Sequence, residues 1–192
     1  MTAVAPPAHE TVPGYRTGTW DIDPSHSEVS FTVRHLMVSK VRGRFTRFSG
    51  SFVTAENPHD STVEATIDLA SIDTNAPDRD DHIRSADFFD VEQHPTMTYR
   101  STGVRAEGDH WVLDGKLSLH GVTKEVPLVL ELHGFLPQSP FGDTRVGFSA
   151  SGEITRDDFG ITFNILMDGG GVVVGNKIQI ALEVEAIRRS DG

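Results

Sequence analysis

The sequence predicts an all-β fold of long antiparallel strands, closed into a barrel or stacked as a sandwich. Three observations carry this. Apolar residues recur with period two along most of the chain, as expected of strands with one face to a core and one to water. Clusters of Asp, Asn, Pro and Gly separate those runs. Only one stretch reads as helix.

Taken in order, a first strand is expected over 17–22. Val29, Phe31 and Val33 share one face of the next run, against Ser30, Thr32 and Arg34. The 43–54 run slips phase between Phe45 and Phe48, which predicts a bulge helped by Gly50. Val63, Ala65, Ile67 and Leu69 alternate again. One short helix is expected near 77–87, with Asn75 to Asp78 offering a cap, Pro77 in the first turn, and Asp78, Asp80 and Asp81 near its positive end. A strand over 97–105 follows. Trp111, Leu113, Leu117 and Leu119 form the next face, then Val126, Leu128, Leu130 and Leu132, then Val146, Phe148, Ala150 and Ile154. The last run sets Ile178, Ile180, Leu182 and Val184 against Lys177, Gln179, Glu183 and Glu185. The total is eight or nine strands, enough for a barrel holding one small ligand or only its own side chains. Turns are expected at Asp23-Pro24-Ser25, Asn57-Pro58, Glu107-Gly108-Asp109, Pro140 to Asp143 and Asp157 to Gly160. Residues 1–16, with Pro6, Pro7 and Pro13, read as a flexible tail, 17–188 as one domain, and 189–192 as a short C-terminal tail.

Composition excludes several function classes. The 192 residues include 17 basic and 28 acidic ones, a net charge of −11. That balance argues against nucleic acid or an anionic membrane as the main partner. With no Cys, disulfides, thiolate catalysis and Cys-ligated metals are excluded. No 18-residue apolar run exists to span a membrane as a helix. The first residues lack the basic and apolar regions of a secretion signal, so a cytoplasmic location is expected. The histidines His26, His35, His82, His94, His120 and His133 show neither HxH nor helical HxxxH spacing, so no metal site is expected. Gly169-Gly170-Gly171 precedes a strand-like Val run rather than GKS or GKT, so it reads as a hairpin loop and not a phosphate loop.

Four spaced motifs point further. They are Asp23-Pro24-Ser25-His26-Ser27 with Val29-x-Phe31 and Val33-x-His35; Ile72-Asp73-Thr74-Asn75 with Arg79-Asp80-x-His82-Ile83-Arg84-Ser85-Ala86-Asp87-Phe88-Phe89-Asp90; Leu117-x-Leu119-His120-Gly121-Val122-Thr123-Lys124; and Arg156-x-Asp158-Phe159-Gly160-Ile161. In this order they resemble the YceI-like family of polyisoprenoid-binding, lipocalin-like barrels, over roughly 17–188. The resemblance implies an extended eight-stranded antiparallel barrel whose apolar interior holds a long lipid, a polyisoprenoid or isoprenoid quinone, with no cofactor required. It also carries an expectation of a homodimer.

The candidate lining is then the inward face of each strand. It comprises Phe31 and Val33; Phe45 and Phe52; Ile67; Trp111, Leu113, Leu117 and Leu119; Leu128 and Leu130; Phe148; and Ile178, Ile180 and Leu182. Burying a chain molecule there gains about 0.8 kcal/mol per methylene. His35, Arg84, Phe88, Phe89 and His120 are candidates for the rim or head group. Leu117, mid-strand and inward, is expected to tolerate Trp in a hollow barrel, with lipid blocked and stability kept. Two other readings compete. One is an enzyme acting on a lipidic substrate, its acid and base drawn from His35, His120 and Asp73. The other is a filled structural or interaction barrel.

Overall fold

The computed structural model describes residues 12–108, 110–166 and 171–190. Twelve strands join one antiparallel sheet: β1 (Gly18–Ile22), β2 (Glu28–His35), β3 (Ser39–Phe45), β4 (Phe48–Thr54), β5 (Thr62–Asp68), β6 (Ile72–Asp73), β7 (Thr96–Glu107), β8 (His110–Leu119), β9 (Val122–Glu125), β10 (Leu128–Leu136), β11 (Arg145–Thr155) and β12 (Val174–Arg188). They make eight staves in chain order. β1 and β2 are one stave, because both pair with β12, β1 at Ala186–Arg188 and β2 between Val174 and Glu183. β4 and β3 pair with β1 and β2 in the same way, β5 and β6 continue that pattern, and β9 and β10 share β8. The β1–β12 pairing closes the ring into an eight-stranded antiparallel barrel.

The phase slip in 43–54 is a strand break and not a bulge. β3 stops at Phe45 and β4 starts at Phe48. The neighbouring stave breaks at the same level, at Leu69–Ser71, and the two breaks are stitched together. The Thr46 amide donates to Ser71 O at 3.1 Å, and the Arg47 amide to Ser71 Oγ at 3.0 Å. Each of these backbone groups at the corner thus finds a partner. Gly50 serves close packing instead, since a Cβ there would sit 2.7 Å from Glu64 O.

Helix α1 spans Pro77–Arg84 and ends three residues short of the expected 87. Its capping residue is Ala76, with no side-chain cap. Asp80, expected near the positive helix end, is buried and turns back to accept the Thr74 amide at 2.9 Å and the Thr74 hydroxyl at 2.6 Å. Asn75, the expected cap, takes a left-handed conformation, φ 61°. Beyond the helix the Phe89 amide returns to Ile83 O and the Val91 amide to Arg84 O. This fold-back presents Phe88 and Phe89 to the core.

Residues 12–16, expected within a flexible tail, pack on the barrel. The Tyr15 hydroxyl donates to Ala55 O at 2.6 Å, and its ring meets Phe135 edge-on at 5.6 Å. Arg189, assigned to the C-terminal tail, pairs with Asp21 at 2.6 Å. Residues 1–11 and 191–192 of the expected tails lie outside the described residues, as do Gly169 and Gly170 of the glycine run.

Candidate functional site

The barrel encloses a cavity of about 360 Å³ with a lining of almost nothing but carbon, within the usual range of about 300–1,000 Å³ for small-molecule sites. All the inward positions read from the alternation line it: Phe31 and Val33, Phe45 and Phe52, Ile67, the four β8 residues from Trp111 to Leu119, Leu128 and Leu130, Phe148, and Ile178, Ile180 and Leu182.

The walls differ. On β8 the inward residues Leu113, Leu117 and Leu119 are 4–6% exposed and belong to the main core cluster. Across the barrel, Phe31 and Val33 of β2 and Ile178, Ile180 and Leu182 of β12 are only half-buried. Their open surface faces the cavity, since their neighbours in sequence occupy the outer face. Two close approaches shape the walls. Phe31 lies so close to Gly43 that a Cβ there would sit 2.5 Å from the ring. The buried Tyr99 covers Gly115, where a Cβ would collide with its hydroxyl. That hydroxyl donates to Val126 O at 2.9 Å, and burial pushes its pKa well above the ordinary phenol value.

The two ends are lined differently. At the end where β1 begins, the tail end, the lining includes Val12, Tyr15 and Phe135. At the opposite helix end it includes Ile83, Phe88, Phe89, Ile161 and Arg156. Phe88 and Phe89 therefore meet the cavity. His35, Arg84 and His120 are not among its lining residues. Arg84 donates to Ala70 O and Ile72 O, both at 2.9 Å, and pairs with Asp81. His120 donates from Nδ1 to Phe159 O at 3.1 Å and its ring meets that of His94. His35 ends β2, where its carbonyl accepts from Ser39 Oγ. The Arg84 and His120 side chains hold connections together, because loop geometry and not strand phase decides where a strand-end residue turns.

Arg156 opens the fourth motif, yet nothing in the alternation marks it as part of the interior. It is 5% exposed. Its Nη1 donates to Ile161 O and Phe163 O, both at 2.8 Å, and its Nε to Gly175 O at 3.2 Å. No carboxylate pairs with it among the described residues, and burial lowers its pKa. Among the described residues it is the one cationic side chain in the cavity lining.

Two other clusters mimic reactive sites. Ser25, His26 and Asp23 lie together, but His26 Nδ1 faces both Asp23 Oδ2 at 2.8 Å and Ser25 Oγ at 3.0 Å, while the Ser25 hydroxyl also bonds Asp23 at 2.5 Å. A triad needs one ring nitrogen for each partner, so this arrangement does not activate the serine. Asp23, His26 and Glu185 also converge within 4.8 Å as ligand atoms could. Arg145 stands among them, 3.2 Å from Asp23 and bonded to Glu185. Its guanidinium supplies the cation that those acids attract. Asp73, a candidate acid or base by sequence, pairs with Arg44 at 3.1 Å and accepts the Asn75 amide.

The comparisons with known proteins agree with this architecture. The model of the YceI-like domain matches residues 20–186. A UPF0312 protein of Pseudomonas aeruginosa (strain LESB58) is 40% identical over 170 residues, covering 88% of this chain and 85% of that one. The crystal structure of the Campylobacter jejuni YCEI protein is 27% identical, with a TM-score of 0.67 over 82% of this chain and 90% of that one. The same fold appears at 16% identity, TM-score 0.67, in a polyisoprenoid binding domain from Saccharophagus degradans, over 88% of this chain and 98% of that one. With a closed eight-stranded barrel, an apolar interior and a family match from Trp20 to Ala186, the chain belongs to the YceI-like family.

Proposed function

We propose that the protein binds a long apolar lipid chain, a polyisoprenoid or isoprenoid quinone, inside the barrel, and acts as a non-enzymatic carrier or sequestering protein. The observation that carries this is the apolar cavity with its half-buried β2 and β12 wall. Side chains held half-open around a cavity, Val33 and Ile178 above all, forgo contacts that a filled core would make. An apolar guest restores them, at about 0.8 kcal/mol per buried methylene. The polyisoprenoid binding domain of matching fold supports the same class of guest. Arg156, charged and buried at the helix end, is the group on this cavity suited to meet an oxygen of the guest. The sites nearest to acid–base chemistry, around Asp23 and Asp73, are engaged in holding the strands. The deciding measurement is native mass spectrometry of protein purified without detergent, then reloaded with an isoprenoid quinone and a hydrocarbon of equal chain length. A stoichiometric apolar adduct is expected. Failure to take up either chain overturns the reading.

A further inference from the structure

The chain carries a net charge of −11, yet no Asp or Glu lies between Val29 and Ala55, where Arg34, Lys40, Arg42, Arg44 and Arg47 fall. The β2–β3 hairpin gathers the first four of these cations on its outer face. Arg34 stands opposite Lys40 and Thr32 opposite Arg42 across the ladder. Arg44 and Arg47 are paired, with Asp73 and Asp68. Lys40 and Arg42 have no carboxylate partner among the described residues. Between Arg34 and Lys40 the hairpin tip is apolar: Leu36, Met37 and Val38 are exposed, Val38 by 84%. Leu36 and Met37 both adopt left-handed backbone, φ 51° and 61°, a conformation rare for such side chains. A second apolar strip adjoins this tip. The Leu36 amide donates to Val173 O at 2.9 Å and the Val173 amide to Ile165 O at 3.1 Å. Leu166, 81% exposed, bridges Val172. Val174, the next residue in that segment, lines the cavity. Flanked by cations and set beside the helix end of the cavity, this is an apolar crest.

We propose that this crest is the site where the protein docks on an anionic lipid surface, with Val38, Met37, Ile165 and Leu166 entering the interface and Arg34, Lys40 and Arg42 meeting lipid phosphates. The charge pattern favours this occupant over a second copy of the chain docked face to face, since Arg34, Lys40 and Arg42 would then meet the same cations on the partner. At physiological salt, charges beyond about 8 Å are largely screened, so the cations of the hairpin act on a lipid surface at close range. Apolar side chains rimmed by Lys and Arg are the combination that binds acidic bilayers from the side. The inference goes beyond the proposed guest, because docking is measurable with the cavity full or empty.

The test is flotation with vesicles of phosphatidylglycerol and phosphatidylcholine, and with phosphatidylcholine alone. Binding to the anionic vesicles, weakening as salt rises, is expected. Lys40→Glu with Arg42→Glu is expected to lower it by more than tenfold, and Val38→Ser with Leu166→Ser by about tenfold. Phe141→Ser, at the tail end and 84% exposed, should leave it unchanged. Val38→Trp gives a reading that does not depend on destabilisation: its fluorescence should shift to the blue with anionic vesicles, and that of Phe141→Trp should not. Absence of binding to anionic vesicles overturns the proposal, as does equal loss in the Phe141→Ser control. Uptake of an isoprenoid quinone in vesicle-free solution tests the guest separately.

Discussion

The β8 wall and the β2–β12 wall of the barrel have the same alternating pattern and the same inward phase, yet one is sealed and the other is open. Leu113, Leu117 and Leu119 pack against Tyr99, Leu128 and the Phe88–Phe89 fold-back in one cluster. Val33 and Ile178, in register with each other on the opposite wall, are lining residues without a place in that cluster. Strand phase therefore assigns a side chain to the interior without deciding what it meets there. The sealed wall supplies stability and the open wall supplies room.

Substitutions can break or sharpen this contrast. The largest loss is expected at the tail end. Trp20 is fully buried, stacks with Phe52 at 6.0 Å and donates to Thr54 Oγ1 at 2.8 Å. Trp20→Ala should cost about 3–5 kcal/mol in urea unfolding. Next comes a matched pair. Leu117→Trp should cost about 1–3 kcal/mol by overpacking, contrary to the expectation from sequence that this position tolerates bulk. Ile178→Trp should change stability by less than about 1 kcal/mol while abolishing lipid uptake. Equal destabilisation by the two would show that the walls do not differ.

A third effect is confined to acid and tests how the open wall is held at its break between β1 and β2. Hydrogen bonds from the Ser25 hydroxyl, then from His26, hold the Asp23 carboxyl well below the usual carboxylate range. A depressed folded-state pKa means that its stabilisation is present above the unfolded pKa of about 3.9 and is lost as pH falls below it. Asp23→Asn should flatten the stability profile below about pH 4, with thermal unfolding as the readout. The smallest effect lies on the outer face of the open wall, at the exposed pair Lys177–Glu153, 2.9 Å apart. Lys177→Gln should leave the thermal midpoint unchanged within error, because solvent screens such pairs. A larger change would mean that this wall leans on its surface charges.

Much of the lining was legible because a strand admits two faces only, so one apolar run assigns each residue of it. Trp111 and Ile180 could be placed inward from sequence alone for that reason. The rim was not legible in the same way. His35, Arg84 and His120 sit at or beyond element ends, where the backbone leaves its two-residue period. Arg84 and His120 turn to carbonyls of Ala70, Ile72 and Phe159 instead. Arg156 gives no local signal, because its burial is made by the carbonyls of Ile161, Phe163 and Gly175, which no short pattern announces. The acid-free stretch from Val29 to Ala55 is visible in the letters, but the whole-chain charge conceals it. Only the hairpin register sets its cations side by side.

By itself the sequence determined the strands, their inward faces, the single helix and the family, since each of these depends on local periodicity or on motifs a few residues long. Tertiary structure decided where staves break together, which strand ends close the cavity and which wall stays open. Those outcomes depend on the summed volume of side chains from all eight staves and on where the fold-back carrying Phe88 and Phe89 comes to rest. Packing at crystal-like density is a property of the whole interior, and no single run of residues contains it.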